Sequence, residues 1–393
     1  MSDPSARSWL ALPMMMFALH VLLTQIITMS GRITTSYRAV ELGTSALWIG
    51  LIGASFSLLP LILATSAGRG IDRRGARGAF ILGGACLAAA GIGFLLIGTV
   101  VWGLILCSAL LGLGHLLCML SQHAFMAGTG GTEGMDRRFG HYTALVSLGQ
   151  VIGPVFVALF GGSQSIPDTD RLFVFLAVTA SVSLGASLLL RPDPPAPRRK
   201  GEISMPLKAL LHLPGMIPAI LAGVAAICAV DLLVVYLPVL GASAGIPAGV
   251  IAALLTLRAL TSLGSRLFIG FFLTRFGRRL VLSLSLGLTG FGMAALGLPN
   301  APFALFTAGT VAIGVGVGLA IPLSMSWISA IVPPQERGVA LSLRLMGNRL
   351  AQLLLPAAVG LVIGASSLSL AFAALGAMVM GVAGHTWRKM QDS

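Results

Sequence analysis

Twelve runs of about 20 mostly apolar residues, separated by short polar or glycine- and proline-rich breaks, constrain this 393-residue chain more than any other feature. A helix rises ~1.5 Å per residue, so a run of that length spans the ~30 Å hydrocarbon core of a bilayer. The runs do not alternate with a two-residue period, so helices rather than a closed barrel satisfy the backbone in lipid. Length alone would suggest two or three soluble domains, but 56% apolar and only 9% charged residues exclude water as the main solvent. The expected class is an all-α integral membrane protein.

The spans are expected near Trp9–Ser30, Leu47–Ala67, Ala79–Thr99, Val101–Phe125, His141–Gly162 and Leu172–Leu190. A second six follow near Gly215–Leu240, Ala248–Leu273, Leu280–Leu298, Pro302–Ile331, Val339–Ile363 and Ser366–Trp387. The first run is too long for a signal-peptide core and lacks a cleavage site, so it reads as a retained helix. The proline-rich, basic stretch Arg191–Lys200 lies between the two sets. The domain reading is therefore a six-helix half over 1–190, a solvated linker over 191–213 and a second six-helix half over 214–393.

A formal net charge of +13 would suggest nucleic acid in a soluble protein. Here Arg69, Arg73, Arg74, Arg77, Arg137, Arg138, Arg191, Arg198, Arg199, Lys200, Lys208, Arg275, Arg278, Arg279 and Arg337 fall in loops on one side, whereas Arg38 and Arg171 fall on the other. The positive-inside rule makes the basic side cytoplasmic, with both termini inside. Topology accounts for the charge, and no nucleic-acid partner is expected. The cysteines at 86, 107, 118 and 228 lie inside apolar runs and read as packing residues; no metal or other cofactor is expected.

The two halves repeat at a single offset of 202 positions. Gly68-Arg-Gly-Ile-Asp72-Arg-Arg-Gly75 aligns with Gly270-Phe-Phe-Leu-Thr274-Arg-Phe-Gly277, Gly112 and Gly114 with Gly314 and Gly316, and Gln150 and Pro154 with Gln352 and Pro356. Parallel repeats of six helices imply a pseudo-two-fold axis along the membrane normal and a solute site between the halves near the midplane.

The segment Gly68, Asp72, Arg73, Gly75 and Arg77, in the turn after the second span, resembles the loop signature of the major facilitator superfamily. Gly149, Gly153 and Pro154, followed by Gly161 and Gly162, resemble the fifth-helix motif of that family's drug:proton antiporter branch. The resemblance covers nearly the whole chain. It implies the twelve-helix fold, a gating role for the Asp72 loop at the cytoplasmic start of the eleventh span, and export coupled to a gradient. Plain topology at the first motif and small-residue helix packing at the second remain the simpler readings. Two departures stand out: Ser108 occupies a position where the family often carries arginine, and the first span has no acidic residue at membrane depth.

Charges inside the spans are few. A charge at mid-bilayer costs about 2.5–3.5 kcal/mol even on lenient scales, so such residues should face the cavity or one another. Asp231 is the one acidic residue at depth, with Arg32 and Arg258 as candidate partners and Arg349 as a further cavity charge. Arg266 and Arg344 lie nearer the cytoplasmic end, where snorkelling would serve them. His20 and Tyr236 complete the expected coupling and substrate cavity. Asp231 is either the coupling carboxylate or half of a static ion pair.

No enzyme constellation is apparent, and Gly314-Val-Gly-Val-Gly318 lacks the strand and the Lys-Ser/Thr of a phosphate loop. The expectation is a secondary active transporter exporting small lipophilic or amphipathic compounds by alternating access. Its expected partners are a small-molecule solute, a coupling proton and the lipid bilayer, with the chain acting as a monomer. The alternative is a carrier of an organic anion recognised by the cavity arginines. Arginine outnumbering lysine, with abundant alanine and glycine, suggests a GC-rich bacterium and its cytoplasmic (inner) membrane.

Overall fold

The computed structural model describes residues 12–128, 135–160, 163–191, 207–299, 301–333 and 336–390. They form thirteen helices: α1 Leu12–Glu41, α2 Ala46–Arg74, α3 Arg77–Ile97, α4 Val101–Gly128, α5 Met135–Phe160, α6 Thr169–Leu189, α7 Leu207–Leu211, α8 Met216–Ser243, α9 Ala248–Leu267, α10 Ile269–Leu296, α11 Phe303–Ile331, α12 Arg337–Ala365 and α13 Leu368–Lys389. All but the short α7 are long and apolar enough to cross a membrane, which makes twelve spans among the described residues. Of the expected linker, residues 192–206 lie outside the described residues, as do Gly161 and Gly162.

Three boundaries correct the sequence reading. The first helix does not stop near Ser30 but continues to Glu41. Its polar stretch satisfies its buried hydroxyls without leaving the helix: those of Thr28, Ser30 and Thr35 each donate at 2.7 Å to the carbonyl four residues earlier. Next, α2 continues to Arg74, so Gly68 to Arg74 form its last two turns, and the sharp turn is confined to Gly75 and Ala76. The third correction is at the eighth span, where α9 ends at Leu267 and α10 starts at Ile269 before kinking at Gly277, whose φ is 73°.

The backbone clusters into two compact units. One comprises Met1–Thr44, Leu51–Arg198 and Gly241–Ala253, and the other Ser45–Gly50, Arg199–Leu240 and Leu254–Ser393. In the first, α3 packs on α4 and α6, and α1 packs on α4, α5 and α6. In the second, α10 packs on α11 and α13, the repeat equivalents of the α3 contacts.

The 202-residue repeat extends to backbone detail. Gly43 and Gly245 both take left-handed φ values, 65° and 67°, as do Gly75 and Gly277 at 86° and 73°. Each of the first pair ends its helix with the same double hydrogen bond. Gly43 N donates to Val40 O and Thr44 N to Ala39 O; Gly245 N donates to Ala242 O and Ile246 N to Gly241 O. This is the Schellman termination, which glycine enters without the Cβ penalty. Interior glycines repeat as well. A Cβ on Gly112 would sit 1.8 Å from Phe56 O, and one on Gly314 would sit 2.5 Å from Arg258 O, so the same helix crossing is closed in both units by the absence of a side chain.

Candidate functional site

In the second unit, α8 carries Asp231 with 3% of its surface exposed. The Gln352 side-chain amide on α12 donates to its carboxylate, and Arg349 Nη1 donates at 3.2 Å to Gln352 Oε1. Arg349 and Gln352 are three residues apart and share a face of α12. The amide is oriented by its two charged neighbours, since only its NH₂ can donate to a carboxylate and only its oxygen can accept from a guanidinium. Five residues along α8, Tyr236 is fully buried, and its hydroxyl donates to Pro356 O at 2.7 Å. Polar contacts at two levels thus join α8 to α12.

The arginines of this unit are held differently. Pro322 within α11 has no N–H, which leaves the Gly318 carbonyl without its helical donor, and Arg266 Nε donates to that oxygen at 3.3 Å. Arg344 Nη2 reaches Ile321 O at 3.4 Å, and a Cβ on Gly223 would lie 2.5 Å from its Nε. Arg344 is 2% exposed, so snorkelling does not describe it. Arg258, mid-way along α9, is 3% exposed. Asp231 and Arg266 act on it electrostatically.

The first unit brings together a different set. Arg32 on α1 lies over the Phe56 ring, 4.8 Å from its centroid, and that ring is 5.7 Å from His115. Gln25 lies 3.5 Å from the His115 ring and the same distance from Gln150, the repeat counterpart of Gln352. In both units, therefore, this glutamine reaches toward the first long helix of its half.

His20 was expected in the coupling and substrate cavity. It is fully buried within the first unit, where its ring nitrogens meet Ser187 Oγ at 3.0 Å and the Gln122 amide at 3.0 Å. Gln122 also donates to Thr24 Oγ1 at 3.2 Å and accepts from the Tyr142 hydroxyl at 3.2 Å. These contacts fix one self-consistent pattern. Tyr142 donates to the amide oxygen, the amide NH₂ serves Thr24 and His20 Nδ1, and His20 Nε2–H donates to Ser187, whose own proton goes to Ser183 O. Phe80 stands edge-on to the imidazole at 5.1 Å. Sequence reading missed Gln122, Tyr142 and Ser187, because single polar residues 20 and 65 positions apart carry no common spacing.

Of the motif residues, Gly75 forms the left-handed turn, with its N–H donating to Ile71 O at 2.8 Å. Gly68 faces open space, Arg73 and Arg77 are exposed, and the Asp72 side chain lies outside the described residues. In the fifth-span motif, a Cβ on Gly149 would lie 2.6 Å from Gln25 Cβ and one on Gly153 would lie 2.6 Å from Met29 Cβ. These glycines therefore set how closely α5 approaches α1. Pro154 lies inside α5.

A search of curated protein sequences finds no match. Among solved structures, the chain superposes on a nucleoside transporter with a TM-score of 0.77 at 16% identity, covering 96% of this chain and 99% of that one. A D-xylose–proton symporter gives a TM-score of 0.75 at 13% identity over 96% and 98% of the two chains. A bacterial homologue of the human lysosomal transporter Spinster, inward-facing and occupied, gives 0.69 at 17% identity over 99% and 98%. At these identities the likeness is one of fold. The sequence model described as Major Facilitator Superfamily matches residues 9–248 and 219–388, and with the twelve spans and their repeat it assigns this membrane transport protein: the chain belongs to the major facilitator superfamily.

Proposed function

We propose that this protein is a proton-coupled exporter of small amphipathic compounds that works by alternating access, as a monomer in a bacterial cytoplasmic membrane with both termini inside. The observation that supports this reading most is the buried Asp231 on α8, bound by Gln352 and, through it, by Arg349 on α12. The amide donor, backed by a guanidinium, ties this carboxylate on α8 to α12. A conformational change that separates α8 from α12 takes that donor away from the carboxylate. Proton uptake and release then follow the conformational cycle, as coupling requires. The fifth-span glycines, which resemble the antiporter motif, support outward transport.

Asp231→Asn retains shape and hydrogen-bonding capacity but carries no titratable proton. In proteoliposomes with an imposed pH gradient, the variant is expected to bind solute and exchange it down its own gradient while losing proton-driven accumulation. Undiminished proton-driven accumulation by Asp231→Asn would remove Asp231 from the coupling step. Loss of folding in the variant would make the residue a static tie between α8 and α12.

A further inference from the structure

The six spanning helices α8 to α13 contain one acidic residue, Asp231, and at membrane depth the arginines 258, 266, 344 and 349. Arginine does not shed its proton in a protein, so each guanidinium needs an acceptor. Three have one: Arg266 at Gly318 O, Arg344 at Ile321 O and Arg349 at Gln352 Oε1. Arg258 is the exception. It is 3% exposed, its Nε is buried with no hydrogen-bond partner, and no ion pair or hydrogen bond engages the guanidinium among the described residues. Its backbone, by contrast, is fully used. Thr261 Oγ1 donates to Arg258 O at 3.0 Å, and Gly314 lets α11 close on the same carbonyl.

Packing alone does not call for a charge here. The repeat equivalent of Arg258 is Phe56, an apolar residue that serves the same helix crossing, with its own carbonyl against Gly112. A buried guanidinium whose enclosed Nε–H has no acceptor is costly, and the chain keeps that cost at one of two equivalent positions. An acceptor from outside the protein would offset it. A planar fork matches a carboxylate through two parallel hydrogen bonds.

We propose that Arg258 is the binding group for the acidic head of the transported solute, so that the exported compounds are amphipathic organic acids. This deepens the transport reading above and rests on it for the solute's movement, while the binding claim is tested separately.

Purified full-length protein and the variant Arg258→Gln are compared by thermal unfolding with benzoate, salicylate and decanoate, and with the neutral amides of the same three acids. The acids are expected to stabilise the wild type and the amides not to. Arg258→Gln should weaken the apparent affinity for the acids about tenfold or more, the scale of one lost charge-assisted bond. Without solute the variant should unfold at the same or a higher temperature, because a buried guanidinium without a hydrogen-bond acceptor has been removed; a structural ion pair would give the opposite shift. The proposal is overturned if none of the acids stabilises the wild type, if the amides match the acids, or if the variant binds the acids as the wild type does. Should Arg258→Gln fail to fold, Arg258→Lys keeps the charge without the fork. Several-fold weaker acid binding is expected there, and unchanged binding overturns the proposal. Both proteins are then reconstituted with a pH dye inside the vesicles. Acids that bind through Arg258 but move no protons would leave this inference standing and sink the coupled-export reading. Neutral amphiphiles that drive protons equally in both proteins would do the reverse.

Discussion

Gln122 illustrates how one side chain holds a unit together. Its amide serves three partners, His20, Thr24 and Tyr142, from two other helices, and all four residues are buried. Truncation to alanine leaves an imidazole nitrogen and a phenol without their partners, and an orphaned buried polar group costs about 1–3 kcal/mol. Gln122→Ala is therefore expected to lower the unfolding temperature clearly, whereas Gln122→Glu keeps the oxygen toward Tyr142 but loses both donors and should be no better. Thermal melts of the purified variants measure both. If Gln122→Ala melts with the wild type, the network contributes nothing to stability. The same residue shows the limit of sequence reading at this scale. Asp231 was legible because it is the one acidic residue at depth, but its contact with Gln352 was not, although the repeat had already marked that glutamine.

At the scale of elements, the two units differ where their glycines differ. Gly149 and Gly153 allow α5 to approach α1 until a Cβ would clash at 2.6 Å, while the repeat equivalents in α12 are Ala351 and Leu355. Across α8 and α12 the joining contacts come instead from long side chains, Gln352 to Asp231 and Tyr236 to Pro356 O. Gly153→Ala should force Met29 aside at a cost of about 1–3 kcal/mol, the usual range for overpacking. A suitable control is Gly185→Ala on α6, where nothing lies within 4 Å of the added Cβ and the expected effect is neutral or slightly stabilising. Equal melting temperatures for the two variants would mean that the α1–α5 approach is not tight. Glycine-x-x-x-glycine spacing was visible in the sequence, but which helix it faces depends on tertiary packing.

For the whole molecule, the repeat makes asymmetry informative. The Gly75 turn and its counterpart at Gly277 share a left-handed backbone, yet Asp72 is matched by the uncharged Thr274. A charge present in one copy of a shared structure is not required by that structure. Asp72→Asn is expected to lower transport several-fold with expression and membrane insertion unchanged, and Thr274→Ala to have little effect; vesicle transport and membrane yield measure both. Normal transport by Asp72→Asn would reduce the motif to a topological anchor. The same logic singles out Arg258 against Phe56.

The sequence by itself determined the fold class, the number of spans and the internal repeat. Apolar run length and a 202-residue spacing are one-dimensional properties, and a bilayer leaves a long apolar run few alternatives to a helix. It also determined which charges are rare enough to matter. Helix ends were less legible: the polar end of α1 looks like loop composition in one dimension, but its hydroxyls are satisfied by the helix's own carbonyls. Only the tertiary structure decided how those charges are held. Arg266 and Arg344 turn to the backbone of α11, Asp231 and Arg349 share Gln352, and His20 is enclosed in a neutral network. Each of those outcomes depends on which side chains a packed helix brings within about 3 Å, and hydrogen bonding is too short-ranged for sequence spacing to specify it.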